Sequence, residues 1–222
     1  NQDTGKGELK LKISAVITKK PRIKMREQKL NSSDKTLFLI FSVMLFSIIG
    51  GAVSYRIKSA LFKTAIFDSF VAFSTDLSGK SFFEAFSGFF AVDLSALIVF
   101  SILGTSVFGE LPILIATVFR TIGIGALGAY LFDSFALEGF KYFLIIILPG
   151  KILMFFALLL TVQNCFQMSR KIRINSTGKS NEIPDLKIYL IRNGVAMIIF
   201  ALSAVTDTFL LRFLSQYFIP NF

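Results

Sequence analysis

The chain has 222 residues, 54% of them hydrophobic and 14% aromatic, with 27 phenylalanines and neither tryptophan nor histidine. That apolar excess is more than a water-soluble core can absorb, and it points to lipid as the solvent. The net charge is +10, but Lys and Arg stand beside hydrophobic runs, as orientation signals and anionic-lipid contacts do. With no recognition motif beside the charge, nucleic acid is not an expected partner; membrane lipids are.

Residues 1–35 form a basic lead-in with weak strand-like alternation at Leu9, Leu11 and Ile13, expected on the cytoplasmic side. The first apolar run begins only near Leu37, so no cleavable signal peptide is expected. Ser32, Ser33 and Asp34 offer N-cap chemistry to a first span over about 36–55. Near its far end, Gly50 and Gly51 either admit a close neighbouring helix or locally loosen this one. Segment 56–85 mixes charges with aromatics, and Leu61, Phe62, Ala65, Ile66, Phe70 and Phe73 fall largely on one side at helical spacing. That pattern predicts an amphipathic helix lying in the interface outside the membrane.

The next stretch organises the chain. Spans over about 86–108 and 111–132 are separated by Gly109-Glu110-Leu111-Pro112, with Pro112 placed as a first-turn proline. A short acidic loop over 133–139 leads to a fourth span over about 140–163, which the residues Leu148-Pro149-Gly150-Lys151 are expected to kink or break. A basic loop over 164–187, a fifth span over about 188–211 and a short tail over 213–222 complete the chain. The fold class is therefore all-α: a transmembrane bundle of about five spans within 36–212, plus one interfacial helix.

Several motif matches fail on context. Gly123, Gly125 and Gly128 spell a dinucleotide-binding fingerprint, but they lie inside a span where a strand and a turn are required. Helix packing accounts for them, with Thr121, Gly125 and Ala129 forming a row of small residues. The Gly-Lys-Ser triplets at 79–81 and 178–180 lack the upstream glycine of a phosphate loop. Asn31 and Asn175 match the glycosylation pattern but fall on the side expected to be cytoplasmic. Cys165 is the only cysteine, which excludes an intrachain disulfide. No residue pattern implies a cofactor, a metal site or a catalytic group, so the chain is not expected to be an enzyme.

Asp93, Arg120 and Lys151 are charges within spans, each costing about 3 kcal/mol at the bilayer centre if left unpaired. A bridge from Asp93 to Arg120 or to Lys151 would neutralise one cation and staple helices together. The other use of such charges is a polar pathway for an ion or substrate. Arg192 and Asp207 lie near opposite ends of the fifth span, where they are expected to reach the interfaces.

The hairpin and the interrupted fourth span resemble the stage II sporulation protein M family of endospore-forming Firmicutes. The resemblance runs over about 97–160. It is carried by Leu103-Gly104-Thr105-Ser106, Gly109-Glu110-Leu111-Pro112, Arg120 before the glycine-rich stretch, Glu138-Gly139-Phe140, Ile147-Leu148-Pro149 and the apolar run from Ala157 to Leu160. It implies a non-catalytic scaffold of the bacterial cytoplasmic membrane in engulfment during sporulation. Such a scaffold would anchor two peptidoglycan-degrading partners, stage II sporulation proteins D and P. Phe62, Phe70 and Phe73 would then be either contacts for such partners or anchors in the lipid interface. The alternative reading is the membrane subunit of an ATPase-driven exporter.

Orientation follows from the loops. The two strongly basic segments, 1–35 and 164–187, fall on one side of five spans, while 133–139 and the tail after Arg212 carry no Lys or Arg. The N-terminus is therefore expected in the cytoplasm and the C-terminus outside. Cysteine labelling from outside should modify a probe at Ser134 and spare one at Ser176; the reverse pattern would invert the topology.

Overall fold

Long apolar runs in lipid become helices because every backbone polar group must be satisfied within its own segment. A computed structural model describes residues 34–57, 80–178 and 185–218, with side chains of the last helix placed through position 213. Among these residues the secondary structure is helical, without strands. Helix α1 is Asp34–Ile57, α2 is Phe82–Gly104 and α3 is Glu110–Tyr142. A π-helical turn, Phe143–Ile147, joins α3 to α4, Leu148–Ser176. Helix α5 is Leu186–Phe218.

Local chemistry sets the helix starts. A capping box opens α2: Ser81 Oγ accepts from the Glu84 N–H at 3.4 Å, and the Glu84 carboxylate accepts from the Ser81 N–H at 2.9 Å. Asp185 opens α5 by accepting from the Lys187 and Ile188 amides at 3.1 and 3.2 Å. Pro112 lies in the first turn of α3, where its missing N–H leaves no bond unmade, and Ile113 N–H closes the first turn on Gly109 O at 2.9 Å.

Four helical stretches are long and apolar enough to cross a membrane: Asp34–Ile57, Phe82–Gly104, Glu110–Ser176 and Leu186–Phe213. The third holds two crossings. In a straight helix Gly128 and Phe143 would stand about 22 Å apart, yet the Phe143 ring lies against Gly128. The Phe132 and Phe140 rings also meet edge to face at 6.3 Å. The reversal is made at Ala136, whose φ of 49° and ψ of −126° interrupt α3. The bundle thus has about five crossings.

Three boundaries differ from the sequence reading, each for a local reason. The expected acidic loop over 133–139 is helical on both sides of Ala136, so one residue carries the turn. Pro149 does not break the fourth span. Its ring would clash with the carbonyl four residues back, and the chain makes room by widening the preceding turn: Leu148 N–H donates to Phe143 O, and regular α-helix follows. The basic loop expected from residue 164 is helical as far as Ser176, because Asn164 and Ser169 are buried against neighbouring helices and do not end the span. Smaller shifts concern the ends. Helix α2 spans 82–104, not 86–108, so Phe82 and Glu84 belong to it and not to the amphipathic segment expected over 56–85. The expected tail over 213–222 is helical through Phe218. Residues 58–79 of the amphipathic segment, with Phe62, Phe70 and Phe73, lie outside the described residues, as do residues 1–33.

Packing is tightest where side chains vanish. A Cβ on Gly51 would overlap Ile122 O, and a Cβ on Gly125 would overlap Ile48 O, so the backbones of α1 and α3 touch. Thr121, one turn away, is fully buried, and Ala129 is partly buried; Gly50 faces open space. The main apolar cluster draws on all five helices, with Met44, Phe100, Ile113, Leu158, Val162 and Phe200 at its centre. A smaller one joins Leu127, Leu131, Ile146 and Ile147.

The backbone at Ala136 falls in a region that favours glycine. Relief of strain, less the entropy a glycine adds to the unfolded chain, should make Ala136→Gly more stable by about 1 kcal/mol. Unfolding in detergent micelles measures this; a loss of stability would contradict the geometry.

Candidate functional site

By helical rise Asp93 lies about 17 Å from the Gly104 end of α2, and Arg120 about 15 Å from the start of α3. Because α2 and α3 are joined at those ends, the two residues arrive at one depth, and the Arg120 guanidinium pairs with the Asp93 carboxylate. Lys151 and Asp207 are likewise brought level by α4 and α5, with Lys151 Nζ 2.7 Å from Asp207 Oδ2. The pairs are neighbours: Arg120 Nη2 reaches Met154 Sδ at 3.8 Å, one turn beyond Lys151, and Asp93 lies within electrostatic range of Lys151 and Asp207. Four helices thus supply two cations and two carboxylates to one layer of zero net charge.

The short aspartates are the buried members, with side chains 6% exposed, while those of Arg120 and Lys151 remain 25% and 18% exposed. Lys151 also lies 5.7 Å from the centroid of the Phe89 ring, whose electron-rich face favours the ammonium.

Gly150 allows the second pair to form. A Cβ there would overlap Asp207 Oδ1, and Ser203 Oγ donates to Gly150 O at 2.8 Å. Pro149 and Gly150, expected from the sequence to kink or break the helix, also mark a closely packed crossing of α4 and α5. Asp207 does not reach the interface as expected; it is buried and pairs with Lys151. Of the residues singled out from sequence, Asp93, Arg120 and Lys151 therefore come together, and Asp207 joins them.

A second polar group lies toward the Glu110 end. Tyr189 O–H donates to Ser101 O at 2.9 Å, and Asn193 Nδ2 donates to Ser101 Oγ at 3.0 Å. Asn164 Nδ2 donates to Asn193 Oδ1 at 2.6 Å and to Tyr189 O at 3.2 Å, and Cys165 Sγ is 3.3 Å from Tyr189 Oη. Below it, Ser169 Oγ donates to Ser106 O at 2.8 Å, and Arg173 pairs with Glu110 at 3.0 Å. Sequence reasoning missed this network. Asn164 and Asn193, polar residues set among apolar neighbours, were its available signal.

Among the described residues, no group of three or more His, Cys, Asp and Glu side chains is arranged to hold a metal ion. Each member would cost about 3 kcal/mol at mid-membrane if unpaired, and the pairs link α2 to α3 and α4 to α5.

The family model described as Stage II sporulation protein M matches residues 37–210. No curated protein and no solved structure matches the chain.

If the pairs are energetic staples, double-mutant cycles for Asp93→Leu with Arg120→Leu, and for Asp207→Leu with Lys151→Leu, should each give coupling of ~0.5–2 kcal/mol. Unfolding in micelles reads the coupling; zero in both cycles would leave the charges independent.

Proposed function

The chain belongs to the stage II sporulation protein M family, and on that premise we propose that it is a non-catalytic integral membrane scaffold that anchors and localises peptidoglycan hydrolases during engulfment. It is a multi-pass helical membrane protein of a sporulation family. Its partners in this reading are membrane-anchored hydrolases, stage II sporulation proteins D and P, together with the surrounding lipid. The host membrane is the bacterial cytoplasmic membrane, and the Lys/Arg distribution supports an N-terminus in the cytoplasm and a C-terminus outside.

The observation that carries the reading is the neutrality of the charge layer. Arg120 is satisfied by Asp93 and Lys151 by Asp207, each on another helix. Charges closed on one another hold helices in register, which is what a static anchor for other proteins needs. An exporter subunit needs the same cations to release their partners and meet a cargo.

Partner contacts fall to the outward-facing segments, where Phe62, Phe70 and Phe73 supply aromatic anchors of the kind that dominate interfaces. Purification in mild detergent from a sporulating host should bring down cell-wall hydrolases. Changing Phe62, Phe70 and Phe73 to Ser should remove them at unchanged expression. Recovery of an ATPase in their place would make the chain a transporter subunit.

A further inference from the structure

The charge layer separates the two apolar clusters. Buried members of the larger cluster lie on its Glu110 side: Leu97 and Phe100 after Asp93, Ile113 before Arg120, Met154 after Lys151 and Phe200 before Asp207. The smaller cluster lies on the Ala136 side, with Leu127 and Leu131 beyond Arg120, Ile146 and Ile147 before Lys151, and Leu210 beyond Asp207.

Within that outer layer, one piece of chain is bounded by irregular backbone at both ends. Residues 137–147 begin immediately after Ala136, at φ 49°, and end in the π-turn Phe143–Ile147. Pro149 follows and has no N–H to give the carbonyl of Ile145. The arm is held sideways by the contacts of Phe140 with Phe132 and of Phe143 with Gly128. Its base is held to α5 by Ser203 Oγ on Gly150 O, by Lys151 on Asp207, and by Ile146 and Ile147, buried in the smaller cluster against Leu210. Leu137, Phe140 and Leu144 face outward, between 41% and 62% exposed, so the arm is covered on one side only.

The geometry points to residues 137–147 being a hinged arm that pivots at Ala136 and at the π-turn with Pro149, and is latched to α5 by the Lys151–Asp207 pair. A π-turn ahead of proline is a joint that costs few backbone bonds to bend, since one of them is already absent. Opening the arm uncovers Gly128 and Leu131 on α3. The latch is electrostatic because Lys151, without Asp207, snorkels toward the nearer interface and draws the base of the arm with it. The hinge needs no hydrolase partner; it rests on the Ala136 backbone, the π-turn and the Lys151–Asp207 pair.

Amide exchange on the full chain in micelles tests the latch. In Asp207→Asn, exchange over 137–147 should quicken about tenfold, a factor of the size intramembrane couplings imply, while 154–165 stays within about twofold. Equal loosening of both stretches, or of neither, overturns the hinge. Should Asp207→Asn fail to accumulate folded, Pro149→Ala decides: it restores a donor to Ile145 O, so exchange over 143–148 should slow several-fold. Unchanged exchange there overturns the proposal equally.

Discussion

Everything in this bundle is arranged so that no charge at mid-membrane is left alone. An arginine, a lysine and two aspartates in hydrocarbon are tolerable only as pairs, and pairs form only if four helices bring them to one depth. That demand sets the vertical register of α2 against α3 and of α4 against α5. Apolar packing has no comparable power over register, because lipid tails compete with any leucine for the same contacts. Charge decides how high each helix stands; small residues decide how close it comes.

Closeness shows the same logic at two places. At Gly51 and Gly125 the backbones of α1 and α3 touch. At Gly150 the missing side chain leaves room for a carboxylate, and so couples packing directly to the ion pair beside it. Proline one residue earlier forces the π-turn, which widens the helix at the level where α5 must approach. One tetrapeptide, Leu148 to Lys151, thereby supplies the joint, the gap and the cation.

Much of the bundle's outline was legible in the chain, and so was part of its site. Apolar runs long enough to cross a bilayer have one structural solution, which is why the helices and the all-α class follow from the sequence alone. Asp93, Arg120 and Lys151 stood out because charge inside a span is costly and has to be accounted for. Asp207 did not, since a residue four positions from an assigned span end looks free to reach water. Its helix in fact continues through Phe218, placing it deeper. Asn164 was hidden for the related reason that polar residues end a span on paper but continue it when a neighbouring helix satisfies them.

The sequence by itself determined that the chain is a helical membrane protein, roughly where its crossings lie, and which charges need partners. These depend on transfer free energies, which belong to each segment separately. Only the tertiary structure decided who pairs with whom, that a π-turn accommodates Pro149 without ending the span, and that Ala136 alone reverses the chain. Those outcomes depend on distances between segments far apart in sequence, and no local run of residues encodes such a distance.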